Sequence, residues 1–299
     1  MSDGSRTTFT VVTPSFNQLD WLELCIASVA DQEGATFVEH IVCDACSEGI
    51  ENFKTRMLQR FPPSNNYRLE FFVGPDAGMY DAINNGLRHA KGDFCSYLNC
   101  DEQLLPLSLD RVANFMEKRP SIDVVFGDAV VVAGDGNALC YWRPYVPSLA
   151  HLGVATLNTL SCGTFFRRTL VDAGHFFDPS WKVSGDMMWI RDLLKAKRKM
   201  ACLHEPLAVF TWLGANLGLS ETAIEEFDQT RDGSPRWRRI LLRCKHGVMK
   251  ALSGAFVHRN VRYQIFALSS PARRQTFEAP SLGWEWPSKP TATISNDVH

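Results

Sequence analysis

Hydrophobic and polar positions in the N-terminal third of the chain alternate between two periods. Apolar runs rich in Val, Ile, Phe and Thr end in Pro, Gly, Asp or Asn, and they predict four strands, within residues 9–17, 37–49, 67–78 and 93–102. Between them, apolar residues recur at helical spacing and predict three helices, within 19–32, 50–61 and 79–90. This β-α-β-α-β-α-β order predicts an α/β fold whose mostly parallel, Rossmann-like central sheet carries helices on both faces.

The pattern beyond residue 106 predicts a helix at 107–118, a strand at 123–132, an irregular stretch to about 165, a strand with a short helix at 163–177 and a strand at 201–212. Another helix begins near Asp186 and has Met187, Ile190, Leu193 and Leu194 on one apolar face. A carboxylate is favoured at a helix start, because it faces unpaired amides and the positive end of the helix dipole.

Polar side chains follow each of the first four predicted strands: Ser15 and Asn17, then Asp44, then Asp76, then Asp101 and Glu102. Ligands of such sheets bind beyond the carboxyl ends of the strands, so we expect these groups at one edge. Acidic groups collected there suit a cation or a ligand that donates hydrogen bonds. For Asp101 and Glu102 the sequence leaves two alternatives, a solvated turn or a cation site, because buried carboxylates are costly without partners.

Familiar phosphate-binding sequences are missing after the first strand. The chain has no Walker A sequence, and no GxGxxG follows residues 9–17. This disfavours a P-loop NTPase and a dinucleotide-dependent dehydrogenase. If phosphates bind without a basic loop, a divalent cation must offset their charge.

Composition is that of an ordinary globular protein, with 45% hydrophobic and 21% charged residues. The polar start and short apolar runs predict neither a signal peptide nor a membrane span, so we expect a cytoplasmic protein. The nine cysteines are an odd number scattered through apparent core segments, which favours reduced, buried thiols. The CxxC spacing of Cys43 and Cys46 lacks a second ligand pair, so we interpret it as packing.

Charge is distributed unevenly along the chain. Residues 1–230 hold 19 Lys and Arg against 29 Asp and Glu, whereas residues 231–263 hold nine basic residues against one acid. The acidic body predicts no nucleic-acid partner. In the basic segment, helical spacing predicts one apolar face formed by Trp237, Leu241, Cys244, Val248 and Leu252. Two interpretations remain: residues 236–263 lie on an anionic membrane surface, or this helix packs on the main domain with its basic face solvated.

Eight motifs, in order, resemble one known family. They are "TPSFNQ", "IVCDACSEG", "GPDAGMYDAINNGLRHAKGD", "LNCDE", "FGD", "FFRRTLVDAGHFF", "SGDMMW" and "NLGLS". Over residues 8–222 the chain resembles the family 2 glycosyltransferases, which have the GT-A fold. The resemblance implies an inverting transfer of a sugar from a nucleotide-diphosphate sugar donor to a hydroxyl of a glycan or lipid-linked glycan acceptor, in surface polysaccharide or glycolipid assembly.

The resemblance also implies roles for individual residues. Asp186 matches the general base. Asp101 matches the third, metal-binding position of the family's DxD motif, with Asn99 and Cys100 at the first two, and the implied cofactor is Mn²⁺ or Mg²⁺. The implied nucleotide-sugar-binding residues are Pro14, Ser15, Asn17, Asp44, Asp76, Asn84, Asn99 and Cys100. On the acceptor side it implies Asp128, Gly185 and Trp189.

The predicted organisation is a GT-A domain at 1–222, a basic amphipathic helical appendage at 223–275 and a loosely ordered tail at 276–299. We expect a cytoplasmic protein that can lie peripherally on the inner face of the membrane. One alternative function is a nucleotidyltransferase that makes sugar nucleotides, although "TPSFNQLDW" lacks the Gly and Lys of its usual loop. Another is a non-catalytic nucleotide-binding protein on the same fold.

Overall fold

The predicted order of strands and helices in the first third is confirmed. The computed structural model describes residues 6–34, 36–154, 157–214, 221–230, 233 and 235–287. Its first elements are β1 (Thr8–Ser15), α1 (Leu19–Ala30), β2 (Phe37–Asp44), α2 (Ile50–Arg60), β3 (Tyr67–Val73), α3 (Met79–Arg88) and β4 (Phe94–Tyr97).

The later elements also follow the predicted pattern, with additions. They are β5 (Glu102–Leu104), α4 (Ser108–Glu117), β6 (Val124–Ala133), β7 (Ala138–Trp142), α5 (Leu149–Leu152), a 3-10 turn (Ser161–Gly163), β8 (Thr164–Arg167), α6 (Arg168–Asp172), α7 (Gly185–Lys195), β9 (Met200–Trp212), α8 (Glu221–Thr230), α9 (Arg236–Leu252), β10 (Val257–Ala267) and β11 (Ser270–Gly283). The stretch predicted to be irregular contains β7, which forms a hairpin with β6.

Nine strands form the central sheet, in the order β3-β2-β1-β4-β8-β6-β9-β5, with β7 paired to β6. The pairs among β3, β2, β1 and β4 are parallel, whereas β8 runs antiparallel to both β4 and β6. The sheet is thus parallel in its first half and mixed beyond it. Ser15 pairs with Asp44, and Asp44 with Val73, so the carboxyl ends of three strands are level.

Helices cover both faces of the sheet, as predicted. One core packs α1, α2 and α4 against the sheet, and the other packs α3, α6 and α7 against the opposite face. Neighbours on β1 divide between them: Val11 belongs to the first core and Val12 to the second, as the alternation of side chains along a strand requires. Among the described helices, none is both long and apolar enough to cross a membrane.

Small residues of the motif at 74–93 set close approaches to β1. A Cβ on Gly92 would lie 2.4 Å from the backbone nitrogen of Thr10, and one on Gly86 would lie 2.4 Å from Cγ1 of Val12. Asp93, which follows Gly92, accepts hydrogen bonds from the backbone nitrogen and the hydroxyl of Thr8, at 3.0 and 2.7 Å. These motif residues therefore hold α3 and the start of β4 against the first strand.

The C-terminal region differs from its prediction. Residues 257–283 form an antiparallel hairpin of β10 and β11, so the appendage is not helical throughout, and residues 276–283 are not a loose tail. The hairpin packs Tyr263, Ile265 and Leu282 against apolar residues of β6 and β9. The high Pro, Ser and Thr content of β11 obscured this alternation. Residues 288–299 of the predicted tail lie outside the described part of the chain.

Polar contacts fix the hairpin to the sheet. Gln103 on β5 exchanges two hydrogen bonds with the backbone of Phe266, at 2.8 and 2.9 Å. Arg274 bonds the carboxylate of Asp31 at 2.6 Å and the carbonyl oxygens of Leu104 and Ser28. A two-stranded hairpin is marginal alone, so these contacts explain why it forms here.

Helix α9 contacts the body through polar residues. Lys250 is 6% exposed, and its Nζ lies 4.5 Å from the ring centroid of Trp142 and 4.2 Å from that of Trp284. His246 shares a hydrogen bond with the hydroxyl of Tyr145. The predicted apolar face points away from the body: the exposed fractions of its residues are Trp237 67%, Leu241 61%, Val248 56% and Leu252 78%. The predicted apolar stripe is therefore not the face by which α9 packs on the body, although Arg239, Arg243 and Lys245 are exposed, as the packing interpretation expected for the basic residues.

Candidate active site

A cavity of about 930 Å³ opens at the carboxyl edge of the first strands. Its walls come from the end of β1, the loop after β3, the start of α3, the turn after β4 and the start of α7. The residues that line it include Pro14, Ser15, Phe16, Asp76, Tyr80, Asn99, Cys100, Asp101, Ser161, Val183 and Asp186. This is the edge at which the sequence pattern predicted a ligand.

The charged side chains among the described lining residues are all acidic. They are Asp76, Asp101 and Asp186. Acidic side chains without a basic neighbour in the described lining favour a cation in this cavity. A nucleotide diphosphate, which is itself anionic, requires a positive charge to bind beside them.

The side chain of Glu102 stabilises the turn after β4. This side chain is 1% exposed. Its Oε2 accepts a hydrogen bond from the backbone nitrogen of Asn99 at 2.9 Å, and its Oε1 accepts one from the hydroxyl of Ser161 at 2.6 Å. Asp101, by contrast, lines the cavity. The two adjacent acids therefore have different positions: Glu102 supports the turn, and Asp101 faces the ligand space.

Burial disfavours ionisation of both acids. It raises the pKa of Asp101 to about 6. Burial, followed by the charge of Asp101, raises the pKa of Glu102 to about 8. A bound cation would offset these costs, because it favours the ionised carboxylate.

The oxygen atoms in this turn fit a hard divalent cation. Oδ1 of Asn99 is buried and has no hydrogen-bond partner among the described residues. Together with the Asp101 carboxylate it offers the amide and carboxylate oxygens that Mg²⁺ and Mn²⁺ prefer. No group of three or more His, Cys, Asp or Glu residues in the described ranges could hold a metal. Water and donor phosphates would therefore complete the coordination, as is common for Mg²⁺.

Asp186 enters the cavity from the first turn of α7. Its Oδ1 accepts a hydrogen bond from the backbone nitrogen of Met187 at 2.7 Å. Its own backbone nitrogen donates to the Tyr80 hydroxyl at 3.1 Å, and that hydroxyl donates to the carbonyl oxygen of Val183 at 2.8 Å. Burial raises the pKa of Asp186 to about 6, although these hydrogen bonds oppose the shift. A carboxylate of this basicity suits proton acceptance near neutral pH.

Gly185 and Trp189, predicted on the acceptor side, have packing contacts instead. A Cβ on Gly185 would lie 2.5 Å from Cε2 of Tyr80, so the tyrosine ring occupies the space of a side chain. Trp189 donates from Nε1 to the carbonyl oxygen of His175 at 2.9 Å and stacks on Phe177 with ring centroids 4.9 Å apart. Neither residue lines the large cavity. Trp189 borders a small pocket next to Asp186, with space for about one water molecule, of about 10 Å³.

Asp128 was also predicted on the acceptor side, and it is not among the residues that line the large cavity. It is fully buried on β6, where Oδ2 accepts hydrogen bonds from the Tyr141 hydroxyl at 2.9 Å and from Nε of Arg143 at 2.8 Å. Burial raises the pKa of Asp128, and the bond from Arg143 opposes that shift. Its contacts join β6 to the end of β7 and the residue that follows it.

The predicted nucleotide-sugar residues divide into two groups. Five of them line the cavity: Pro14, Ser15, Asp76, Asn99 and Cys100. The other three make internal contacts: Asp44 accepts two bonds from Ser47, Asn17 donates its backbone nitrogen to the Ser47 hydroxyl, and Asn84 exchanges two bonds with the backbone of Phe177. Asp44 and Asn17 thus shape the loops beside the cavity, and Asn84 anchors the segment that leads to α7.

Three residues in or beside the cavity were not predicted from the sequence. Phe16 lines the cavity with its side chain 61% exposed. Tyr80 fixes the backbone around Asp186, and its place in the motif "GMYDAINNG" was the available signal. Glu226 on α8 contacts the loop before α7 and carries no sequence signal. The "NLGLS" motif at 216–220 lies outside the described residues.

Comparison with known proteins identifies the family. A family model described as glycosyl transferase family 2 matches residues 10–172. The chain belongs to glycosyl transferase family 2. Family membership supports a glycosyltransferase over both alternatives, the nucleotidyltransferase and the non-catalytic nucleotide-binding protein.

Named relatives of this family 2 chain match its N-terminal part. A PGL/p-HBAD biosynthesis glycosyltransferase of Mycobacterium bovis is 30% identical over 124 residues, which cover 41% of this chain and 47% of that protein. A putative teichuronic acid biosynthesis glycosyltransferase of Bacillus subtilis, TuaG, is 27% identical over 129 residues, 43% of this chain and 49% of that protein. The chain spans about half the length of these curated relatives.

Solved structures share the fold. The S. aureus TarS fragment 1-349 in complex with UDP-GlcNAc has a TM-score of 0.56 at 19% identity, covering 75% of this chain and 64% of that one. The mannosyltransferase PcManGT from Pyrobaculum calidifontis, in complex with GDP-Man and Mn²⁺, has a TM-score of 0.54 at 17% identity, covering 81% and 70%. The similarity confirms the predicted GT-A architecture.

The position of Glu102 predicts how stability changes with pH. Its folded pKa of about 8 exceeds the usual value of about 4.3, so between these values the native state holds a proton that the unfolded state releases. The free energy of unfolding therefore falls as pH rises through this window. Glu102→Gln cannot ionise, and its amide can bond both Asn99 and Ser161. We expect the melting temperature of the variant, relative to wild type, to rise from pH 5 to pH 8.

Thermal unfolding in EDTA measures this difference. Glu285→Gln, at an exposed position, is the matched control and should follow wild type at every pH. A Glu102→Gln difference that is the same at pH 5 and pH 8 contradicts the assigned ionisation.

Proposed function

We propose that this family 2 protein transfers a sugar, with inversion, from a nucleotide-diphosphate sugar to a hydroxyl of a glycan or lipid-linked glycan. The observation that carries the proposal is the convergence of Asp101 and Asp186 in one cavity. These residues lie on separate elements, the turn after β4 and the start of α7, and both have a pKa raised to about 6 by burial. One suits a cation and the other suits proton acceptance.

The donor would occupy the wall formed by the ends of β1, β3 and β4. Phe16 offers an exposed aromatic face to a base, and Ser15 and Asp76 offer polar groups beside it. Relatives of the fold are complexed with UDP-GlcNAc and with GDP-Man, which makes both uridine and guanosine donors worth testing.

Asp101 and Oδ1 of Asn99 would hold the divalent cation, Mn²⁺ or Mg²⁺. When bound, the cation neutralises the diphosphate and stabilises negative charge on it as the sugar leaves. The asparagine at the first motif position leaves the protein with one charge fewer than a DxD sequence, but it retains an acceptor oxygen. The lack of basic residues among the described lining supports the need for this ion.

Asp186 would accept the proton of the acceptor hydroxyl. As that oxygen attacks C1 of the sugar on the face opposite the diphosphate, its O–H bond breaks and the proton passes to the carboxylate. Oδ1 is already bonded to the backbone of Met187, so we assign the proton to Oδ2. The Tyr80 hydroxyl bonds the backbone that leads into this residue, at Val183 and at the backbone nitrogen of Asp186.

We expect Asp186→Asn to lower kcat by about 10²–10⁴-fold, the range typical of a lost general base. Donor affinity should change little, because the substitution leaves the size of the residue unchanged. In the wild type, turnover should fall as pH drops below about 6, where the carboxylate becomes protonated. Release of UDP from UDP-GlcNAc or of GDP from GDP-mannose measures turnover, with exposed Asp192→Asn on the same helix as control. Wild-type turnover by Asp186→Asn would remove the residue from the mechanism.

We expect donor binding to require a divalent ion. UDP or GDP with Mn²⁺ should raise the melting temperature, because ligands that bind the folded state stabilise it. EDTA should abolish the shift, and Asp101→Asn should strongly reduce it. A shift of the same size in EDTA, or in Asp101→Asn, would contradict a cation at this turn.

We also propose that α9 places the protein peripherally on an anionic membrane. Its outward face carries Trp237, Leu241, Val248 and Leu252, and arginines and lysines flank that face. The opposite side is occupied by Lys250 between two tryptophan rings. An outward apolar stripe with basic flanks suits burial at a lipid boundary together with attraction to acidic headgroups. A lipid-linked acceptor would be met at the same surface.

Vesicle flotation tests the membrane proposal. We expect wild type to float with vesicles of phosphatidylcholine and phosphatidylglycerol more than with phosphatidylcholine alone, and less at high salt. Trp237→Ser with Leu241→Ser should remain in the soluble fraction. Ile224→Ser, at an exposed apolar position on α8, is the matched control and should float like wild type. Equal flotation of the double variant and wild type would rule out this face as the membrane contact.

A further inference from the structure

Glu226 is buried against the loop that precedes the candidate base. It lies on α8 and is only 7% exposed. The carboxylate accepts hydrogen bonds from three consecutive backbone nitrogens, those of Lys182 at 2.5 Å, Val183 at 3.0 Å and Ser184 at 2.7 Å. A single side chain therefore accepts hydrogen bonds from the three backbone amides that directly precede α7.

The same loop is held from the opposite side by α3. The Tyr80 hydroxyl donates to the carbonyl oxygen of Val183 and accepts from the backbone nitrogen of Asp186. At the outer end, Nζ of Lys182 donates to the carbonyl oxygen of Ala77 at 2.8 Å. The segment before the base is thus held between α3 and α8, and on the α8 side a single side chain accepts three hydrogen bonds.

We propose that Glu226 is a positioning residue for Asp186: its contact with the amides of residues 182–184 fixes the start of α7, and so the direction from which the base enters the cavity. This inference rests on the proposed role of Asp186. Glu226 itself is not among the residues that line the cavity, and Val183 connects it to the cavity wall. Its effect is therefore exerted through the backbone.

The chemistry of the contact requires a carboxylate. A carboxylate only accepts hydrogen bonds, and both oxygens are used, one by Lys182 and the other by Val183 and Ser184. An amide has a single acceptor oxygen, so glutamine would turn its NH₂ group toward at least one backbone N–H. Bonds to charged acceptors are also stronger than neutral ones. Glu226→Gln should loosen the loop without changing the size of the side chain.

Hydrogen exchange and kinetics on the full chain together test the proposal. In Glu226→Gln we expect the amides of residues 182–184 to exchange about tenfold faster or more, since these bonds no longer close the loop. For UDP-GlcNAc or GDP-mannose, whichever donor the wild type uses, kcat for release of UDP or GDP should fall about tenfold or more, with donor affinity within about twofold. Glu225→Gln, one position away and exposed, carries the same charge change and should match wild type in both measurements.

A second substitution at Glu226 tests the proposal if the first variant does not fold. Glu226→Asp retains the charge but is one methylene shorter, so it should also lower kcat if Glu226→Gln proves too unstable to study. Unchanged exchange at 182–184, or faster exchange with wild-type kcat, would overturn the proposal. Loss of donor affinity equal to the loss of kcat would overturn it as well. Wild-type turnover by Asp186→Asn would instead refute the base, while the exchange result would still report on the Glu226 contact.

Discussion

The free-energy cost of burying carboxylates at one edge of the sheet is the constraint on which the organisation of the site depends. The turn after β4 and the start of α7 bring acidic side chains into a cavity where burial raises the pKa of Asp101 and of Asp186. Ionised carboxylates in such a place need either a cation or fixed hydrogen-bond donors. The two acids meet this need differently. Asp101 stands beside an unpaired amide oxygen, which suits a cation, whereas Asp186 receives a backbone N–H at the start of a helix.

Residues that never touch the ligand space hold these two groups in place. Glu102 braces the turn of Asp101 through Asn99 and Ser161. Asn84 holds Phe177, on which Trp189 stacks within α7. Much of the family's sequence signature is therefore structural in this protein. The contacts that shape the fold also bring Asp101 and Asp186 into one cavity.

The sequence predicted what depends on local periodicity and strand direction. The alternation of periods gave the first seven elements, and parallel strands implied that Ser15, Asp76 and Asp101 would share an edge. It did not show which contacts orient each side chain. Asp128 bonds Tyr141 and Arg143, Asp44 bonds Ser47 three residues away, and neither carboxylate is among the residues that line the cavity. No local pattern distinguishes a carboxylate that faces a ligand from one that faces an arginine.

In the C-terminal region, too, the orientation of side chains could not be predicted from the sequence. A hydrophobic stripe predicted that α9 is amphipathic, but not which face would meet the body. Lys250 lies between the rings of Trp142 and Trp284 and so fixes which face of α9 meets the body. The apolar stripe on the opposite face is left exposed. Helix α8 directly precedes it in the sequence and supplies Glu226 to the loop before Asp186. Consecutive helices beyond the sheet thus carry an outward apolar face on α9 and, on α8, a contact with the loop before Asp186. Helix α8 packs as part of the main domain, because that loop donates three hydrogen bonds to Glu226.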